Sequence, residues 1–515
     1  MVGRSKGPLQ AGPRLLDRMI GYLAPEAGLS RMLARKRLGM LMHYDAASRS
    51  SRTSSWHGTG SSADRAGMAQ GARMRLRGVS RDFVRNRPYA ARGISVITGN
   101  VVGTGIIPSV KASADRTRQK AEAIVLGHLG STDLDAMGVL HLAGLQRAAM
   151  NAVVEDGEVL VRRRWRRGAQ ARRLKLPFQI ELLEADYLCP WVTSHGGNEV
   201  IDGLEIGPEG RVVAYHLFCQ HPGTASARTD LSVIRVPAED ILHIRRIDRP
   251  GQLRGISWFA PVLLTLGDLS DYQEGEILKQ KMAALMAGFV EREDNDGPAS
   301  SSDAEEEAEA MGLSNVAPGT LTELPPGTKI SWSTPPKVDG YDPFMRQTLA
   351  AVAMGLGITY EALAGDLSHV NFSSGRMGRM EMDRNVETWQ QQVMIGQLCE
   401  GLGRWTLEAW QMAFLRAPGF TLGWTAPRRP VIDPTREIPA KIREIEAGLT
   451  SRQRAQREMG LDPAVIRRER IEDAAQDESE GGGPVPPAPR TTRPPTATTT
   501  ATPDAAQAQP AARKP

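Results

Sequence analysis

Apolar residues first take on helical spacing in SRDFVRNRPYAARGISVITGNVVGTGIIPSV, which begins at Ser80 and sets Phe83, Val84, Ile94, Ile97 and Val101 on a recurring face until Gly103 and Gly105 interrupt it. A second helix-like run covers 133–154. The period then shortens to two. DGEVLVRRRW, KLPFQIELLEADYL, IDGLEIGPEGRVVAYHLF and SVIRVPAEDILHI alternate apolar and polar positions between Asp-Gly, Gly-Pro and Glu-Gly pairs, which predicts strands joined by turns. Residues 76–260 are therefore expected to form a mixed α and β domain.

From 261 to 290 the pattern is helical again: Val262, Leu266, Leu269, Ile277, Leu278, Met282, Leu285 and Phe289 form an apolar stripe that carries Lys279 and Lys281 with it. One helix of roughly 25 residues is predicted there. The acidic, serine-containing EREDNDGPASSSDAEEEAEA (291–310) follows, then strand signals in GTLTELPPGTKISWS and a helix at 341–356. A loop of small polar residues, GDLSHVNFSSG from Gly365, precedes 374–416, a stretch without proline. An unbroken helix of that length would span roughly 60 Å, more than an ordinary domain needs. Residues 431–475 hold two further helical runs, separated by GLTS and GLDP. The ends differ in kind: 1–75 is a basic arm rich in Ser and Gly, and 476–515 is a tail with too little apolar content to fold.

A chain of 515 residues with 41% hydrophobic content is long enough for several cores. Its 64 Lys and Arg exceed 59 Asp and Glu by only 5, so charge favours polyanions without requiring one. Three widely spaced cysteines, Cys189, Cys219 and Cys399, predict a reducing compartment and no disulfide framework. The N-terminus has no apolar core of a secretion signal, and no run of about 18 apolar residues occurs, so export and membrane spanning are not expected.

Few motifs ask for chemistry. GNVVGTG (99–105) lacks the lysine of a phosphate loop, and its glycines fit a helix end and turn. His216, Cys219 and His221 in HLFCQH lie on a strand pattern that would put His216 opposite the other two, and no second ligand pair accompanies them. No G-x-S-x-G occurs, and Ser368 beside His369 is only an adjacency. No metal, cofactor or catalytic residue is expected. Positive charge is more informative: VRRRWRRGAQARRLK (161–175) carries seven Arg and one Lys around Trp165, as either a phosphate-attracting surface or a solvated hairpin tip. Arg376 and Arg379 share a helix face and Arg384 is turned away from it; pairing with Glu381 or Asp383 is the plainer role for these arginines.

In order along the chain stand RDFVRNRPYAARGISVITGNVVGTGI, GEVLVRRR, LPFQIELLEADYL, GRVVAYHL, VPAEDILHIRRIDRPGQLRGISWFAPVL, GLGITYEALAGDLSHVNFSSGRMG and WTAPRRPVIDP with GLTSRQRAQREMGLDP after it. Over about residues 40–475 this series resembles the bacteriophage portal proteins of the lambda-type family. The resemblance implies an α+β portal fold assembled as a ring, dodecameric when mature. Its expected parts are a wing at 76–260, a stem helix at 261–290, a clip at 291–335, a second stem helix at 336–356, a tunnel loop at 357–373, a long helix and wing return at 374–430, and crown helices at 431–475.

It further implies a non-enzymatic conduit at one vertex of a tailed-phage or prophage-derived capsid, through which double-stranded DNA passes without sequence readout during packaging and ejection. Partners would be terminase, head-completion and connector proteins, and major capsid and scaffold proteins. Assembly would take place in the host cytoplasm, and no membrane is involved. The channel candidates are Lys279, Lys281, Ser368, His369, Asn371, Ser373, Ser374, Arg376 and Arg379; Asp366 and Leu367 also match the loop pattern, and Ser373 or Ser374 fits the N-cap of the following helix. His243, Arg249, Gly251, Gln252, Arg254 and Gly255 match the RPGQLRG signature, read as a tight turn that fixes assembly geometry. The rivals are a DNA-binding scaffold without a ring and a DNA-processing enzyme that uses the 365–384 loop.

Overall fold

A computed structural model describes residues 70–224, 230–284, 288–292, 328–332, 340–427 and 433–479. The apolar run after Ser80 belongs to two helices, α1 (Gln70–Asn86) and α2 (Pro88–Val101). Pro88 opens α2, and Arg87 before it is extended at φ −116° and ψ 121°, because a proline ring forbids helical geometry in the preceding residue. Helix α1 begins at Gln70, so 70–75 join the folded domain instead of the arm. Gly103 and Gly105 have positive φ just past the end of α2, as a chain reversal requires. A Cβ on Gly105 would lie 2.6 Å from that of Ala143, so the turn also allows a close approach.

The run expected at 133–154 is shifted. Helix α3 spans Leu142–Asp156. Asp135 accepts the backbone N–H groups of Met137, Val139 and Leu140, which supplies those amides with partners outside a helix and holds the preceding segment as a loop. Leu145, Ala149, Met150 and Val153 of α3 join Ile94, Ile97 and Val101 of α2 in the main core.

Strand β1 (Ile107–Lys111) is followed by β2 (Glu158–Trp165), β3 (Phe178–Glu184), β4 (Ser194–His195), β5 (Asn198–Ile201), β6 (Leu204–Ile206), β7 (Val212–Phe218), β8 (Val233–Pro237) and β9 (Ile241–Arg245); the two-residue period predicts β2, β3 and β6 to β9, but not β1, β4 or β5. They form a three-stranded sheet in the order β3-β2-β9 and a five-stranded one in the order β4-β5-β6-β7-β8. Leu160, Leu183, Leu204, Leu217, Val236 and Ile241 from the two sheets make a second core.

Helix α4 (Leu263–Ala284) ends earlier than the apolar stripe implied. Gly288–Arg292 is instead strand β10, antiparallel to β11 (Thr328–Trp332). Gly288 is a poor helix former, and the Phe-Val pair after it favours a pleated strand. The acidic stretch 293–310 lies outside the described residues. Helix α5 (Tyr341–Leu356) closes on Gly357 at φ 71°.

After a short helix, Tyr360–Ala364, comes α6 (Phe372–Trp389); the helical course then continues through a π-wound stretch, Gln390–Cys399, into α7 (Glu400–Phe414). The single long helical run is present, with a wider winding in its middle. Strand β12 (Thr421–Thr425) then pairs with β1 and ties the two halves of the chain together. Three helices, not two, follow: α8 (Pro434–Glu446), α9 (Arg452–Glu458) and α10 (Pro463–Ser479), so helix persists past 475. No described helix is long and apolar enough to cross a membrane.

Candidate functional site

The loop before α6 is built from its own hydrogen bonds. Asn371, not either serine, is the N-cap: its side chain accepts the Ser374 N–H at 2.8 Å, while the Ser374 hydroxyl accepts the Asn371 N–H at 3.2 Å. The reciprocal pair satisfies two backbone donors that a helix start leaves open. Asp366 braces the other side, accepting the Ser368 N–H and hydroxyl at 2.9 and 2.5 Å and the Tyr360 hydroxyl at 3.2 Å, with Arg346 3.6 Å away. The Ser368 hydrogen bonds hold the Asp366 carboxyl below its usual range.

Ser368, His369, Asn371, Ser373 and Ser374 are all exposed on this braced loop. So is Leu367, 67% exposed, which makes the rim less uniformly polar than its neighbours imply. Among the described residues His369 has no hydrogen bond to Ser368 or to a carboxylate.

Behind the loop, Asn385 of α6 donates to the Gly357 carbonyl at 3.0 Å and fixes α6 against the end of α5. Arg376 lies 3.9 Å from Glu437 of α8, and Arg384 lies 3.3 Å from Glu381, so pairing engages both of these arginines. Arg379 is half-buried. Lys279 lies 3.5 Å from Glu276, whereas Lys281, one turn from the end of α4, is exposed. On α4 the apolar stripe splits: Val262, Leu266 and Leu269 are in the core, but Ile277 and Leu278 are 54% and 58% exposed.

The RPGQLRG turn is a clasp on one carboxylate that sequence reading missed. Glu158, at the start of β2, accepts Arg254 Nε and Nη2, the Gly255 N–H at 2.7 Å and His243 Nε2 at 2.9 Å. Burial alone would raise its pKa, but Arg254 and the His243 hydrogen bond hold it well below the carboxylate range. Burial, with Arg245 nearby, pushes His243 down to about 4, so at neutral pH Arg254, with Arg77 3.9 Å away, balances Glu158.

Gln252 shapes the turn: its Oε1 accepts the Asp248 and Arg249 N–H groups, and its Nε2 donates to the Arg246 and Arg254 carbonyls. Gly255 passes so close to Gly157 that a Cβ would sit 2.2 Å from the Gly157 oxygen. Arg249, Pro250 and Gly251, the last at φ 81°, are the exposed members of the signature.

Helix α1 adds a row of cations, two of them buried. Arg73 meets Asp202, Arg77 meets Asp186 at 3.0 Å, and Arg81 reaches Asp156, Glu184 and Asp186 at 2.5, 2.8 and 2.7 Å. The spacing of four was legible as one helix face; its carboxylate partners, which lie more than a hundred residues away for Arg73 and Arg77, were not. Glu184, Asp186 and His221 bring ligand atoms within 4.8 Å of one another, a geometry that a metal ion could use. Arg81 already bonds both carboxylates and supplies the positive charge there. His216 faces elsewhere, 3.1 Å from Glu205, whose carboxyl Arg235 holds down at about 2.

The basic hairpin divides. Arg163 is buried against Asp240, Glu408 and the Trp165 ring, and Arg164 pairs with Glu181. Arg167, Arg172, Arg173 and Lys175 stay exposed at the tip.

The model described as "Phage portal protein, lambda family" matches residues 49–390. A "Probable portal protein" of Halomonas phage phiHAP-1 is 25% identical over 466 residues, covering 85% of this chain and 88% of its own. The portal protein of Escherichia phage N15 is 22% identical over 316 residues, 55% of this chain and 60% of its own. Among solved structures, a chain from the neck of a native gene transfer agent particle has a TM-score of 0.44 at 14% identity, covering 75% of this chain and 94% of that one. An HK97-family portal protein from Corynebacterium diphtheriae has a TM-score of 0.33 at 9% identity, covering 72% and 97%.

Proposed function

The chain belongs to the lambda family of phage portal proteins, a structural family of the capsid portal vertex, and on that premise we propose that copies of it close into a ring, expected to be dodecameric, whose axis is a DNA channel. The observation that carries the ring is α4. Its first half is anchored in the core while Ile277 and Leu278 are left to water on a projecting half, a surface that a second copy would cover. In this arrangement α4 and α5 are the stem, the β10–β11 ribbon belongs to the clip, α8 to α10 form the crown, and the sheets with α1 to α3 make the wing.

The braced loop from Asp366 to Ser374 then repeats around the axis. Its hydroxyls and amide, largely engaged with one another, offer a hydrated rim that does not read base edges and does not hold phosphate tightly. Lys279, Lys281, Arg376 and Arg379 supply the positive charge near it. Terminase, head-completion and connector proteins would dock at the clip end, and capsid and scaffold proteins at the wing. The clasp on Glu158 acts within one subunit, keeping β2, β9 and the entry to α4 in one geometry so that each stem leaves the wing at the same angle. Electron microscopy with native mass measurement tests the reading: rings with a central opening are expected, and a uniform monomer at all concentrations would overturn it.

A further inference from the structure

The hairpin between β2 and β3, in the part assigned above to the wing, carries a cationic surface. Trp165 pairs with Phe178 across the sheet, so 166–177 forms the connection, capped by a short helix, Gly168–Arg173. From Val159 to Ile180 there is no Asp or Glu, against seven Arg and one Lys. Arg163, Arg164 and Arg166 turn back onto Asp240, Glu181 and Gln179 at 2.8, 3.3 and 2.7 Å. Arg167, Arg172, Arg173 and Lys175 do not, and among the described residues none of the four has an ion-pair partner. The other exposed positions of the tip are Gly168, Ala169 and Gln170.

That composition selects the ligand. A protein interface is centred on aromatic or large apolar anchors, and the tip exposes none. Binding of single strands uses stacking on aromatic rings, but Trp165 is half-buried and lies against the Arg163 guanidinium, 4.4 Å from its ring centre. What the tip offers is forked and point-charge donors for phosphate oxygens, without base readout.

We propose that this hairpin knob is a second DNA-binding surface, outside the channel, which grips the backbone of double-stranded DNA. For its ligand the proposal rests on the portal reading above. Four neutralised phosphates per engaged knob correspond to a log–log salt slope of about −3.6.

Covalently closed circular plasmid separates the two surfaces, because it cannot thread a closed ring. The purified full-length protein is expected to bind the plasmid at low salt with steep salt dependence. The triple variant Arg167→Gln, Arg172→Gln, Arg173→Gln alters only exposed side chains; it should weaken that binding at least about tenfold and flatten the slope by about 2.7 per engaged knob. Plasmid affinity and slope unaltered in the triple variant would overturn the proposal, and so would a knob that captures polyglutamate but not plasmid at equal charge, which would make its partner an acidic protein surface. Neither outcome bears on ring formation, which microscopy reads separately.

Discussion

Glu158 shows how much of this protein depends on single buried charges. Arg254, His243 and the Gly255 amide all converge on its carboxylate, and Arg77 stands 3.9 Å away. Glu158→Gln keeps the shape but leaves Arg254 without its counter-charge. Breaking a buried pair from one side costs about 3 to 5 kcal/mol, so equilibrium denaturation should show a loss of that order; a change under 1 kcal/mol would mean the clasp is not rigid.

The buried histidines set the acid limit. His243 and His128 have folded-state pKa values of about 4 against 6.5 for the free side chain. Between those values the unfolded chain binds more protons, so stability must fall as pH drops from 6.5 towards 4, by up to roughly 3 kcal/mol for each histidine. Melting temperatures measured across that window should decline steadily, and His128→Gln, which cannot titrate, should soften the decline.

At the scale of elements, periodicity identified the long helix and several strands well: β3 alternates buried and partly exposed positions, and β2 and β7, buried on both faces over most of their length, still read as apolar-rich runs between turn residues. Ends were less legible. Helix α4 stops before its apolar stripe does, and the 133–141 segment is a loop because Asp135 offers its amides another partner.

The start of α6 depends on the Asn371–Ser374 exchange. Asn371→Ala removes one half of it, worth about 1 kcal/mol, and should speed hydrogen exchange at the Ser374 amide about fivefold while the amides of α7 stay protected. Nothing in QQQVMIGQLC announces the π-winding of Gln390–Cys399. Within it, Gln390 donates to the Val101 carbonyl at 3.0 Å, and Gln397 exchanges hydrogen bonds with the Arg245 backbone at 2.9 Å in both directions. These side-chain amides complete the ends of α2 and β9.

For the whole molecule, the uncovered half of α4 is the feature that one subunit cannot satisfy. Ile277→Asp with Leu278→Asp places two charges where the ring reading needs apolar contact, yet both positions are exposed in the single chain. The double variant should therefore shift native mass from ring to monomer while the melting temperature of the monomer changes by no more than a few degrees. Rings that persist would move the subunit contact elsewhere.

Local order was available from sequence alone: the succession of helices and many of the strands, the turn at Gly103 and Gly105, the small polar loop before α6 although not its Asn371 cap, and the ordered segments that mark the family. These depend on near-neighbour geometry and on burial patterns that repeat within a few residues. Only the tertiary structure decided which charges are spent inside the subunit and which remain free. Arg163 and Arg167 read alike in the chain, but Arg163 is buried between Asp240 and Glu408 whereas Arg167 faces solvent. Glu158 likewise looked like any acidic residue at a strand start until the fold set Arg254, 96 positions away, against it. An ion pair is short-ranged in space and indifferent to separation along the chain, so its partners are fixed only when the chain has folded.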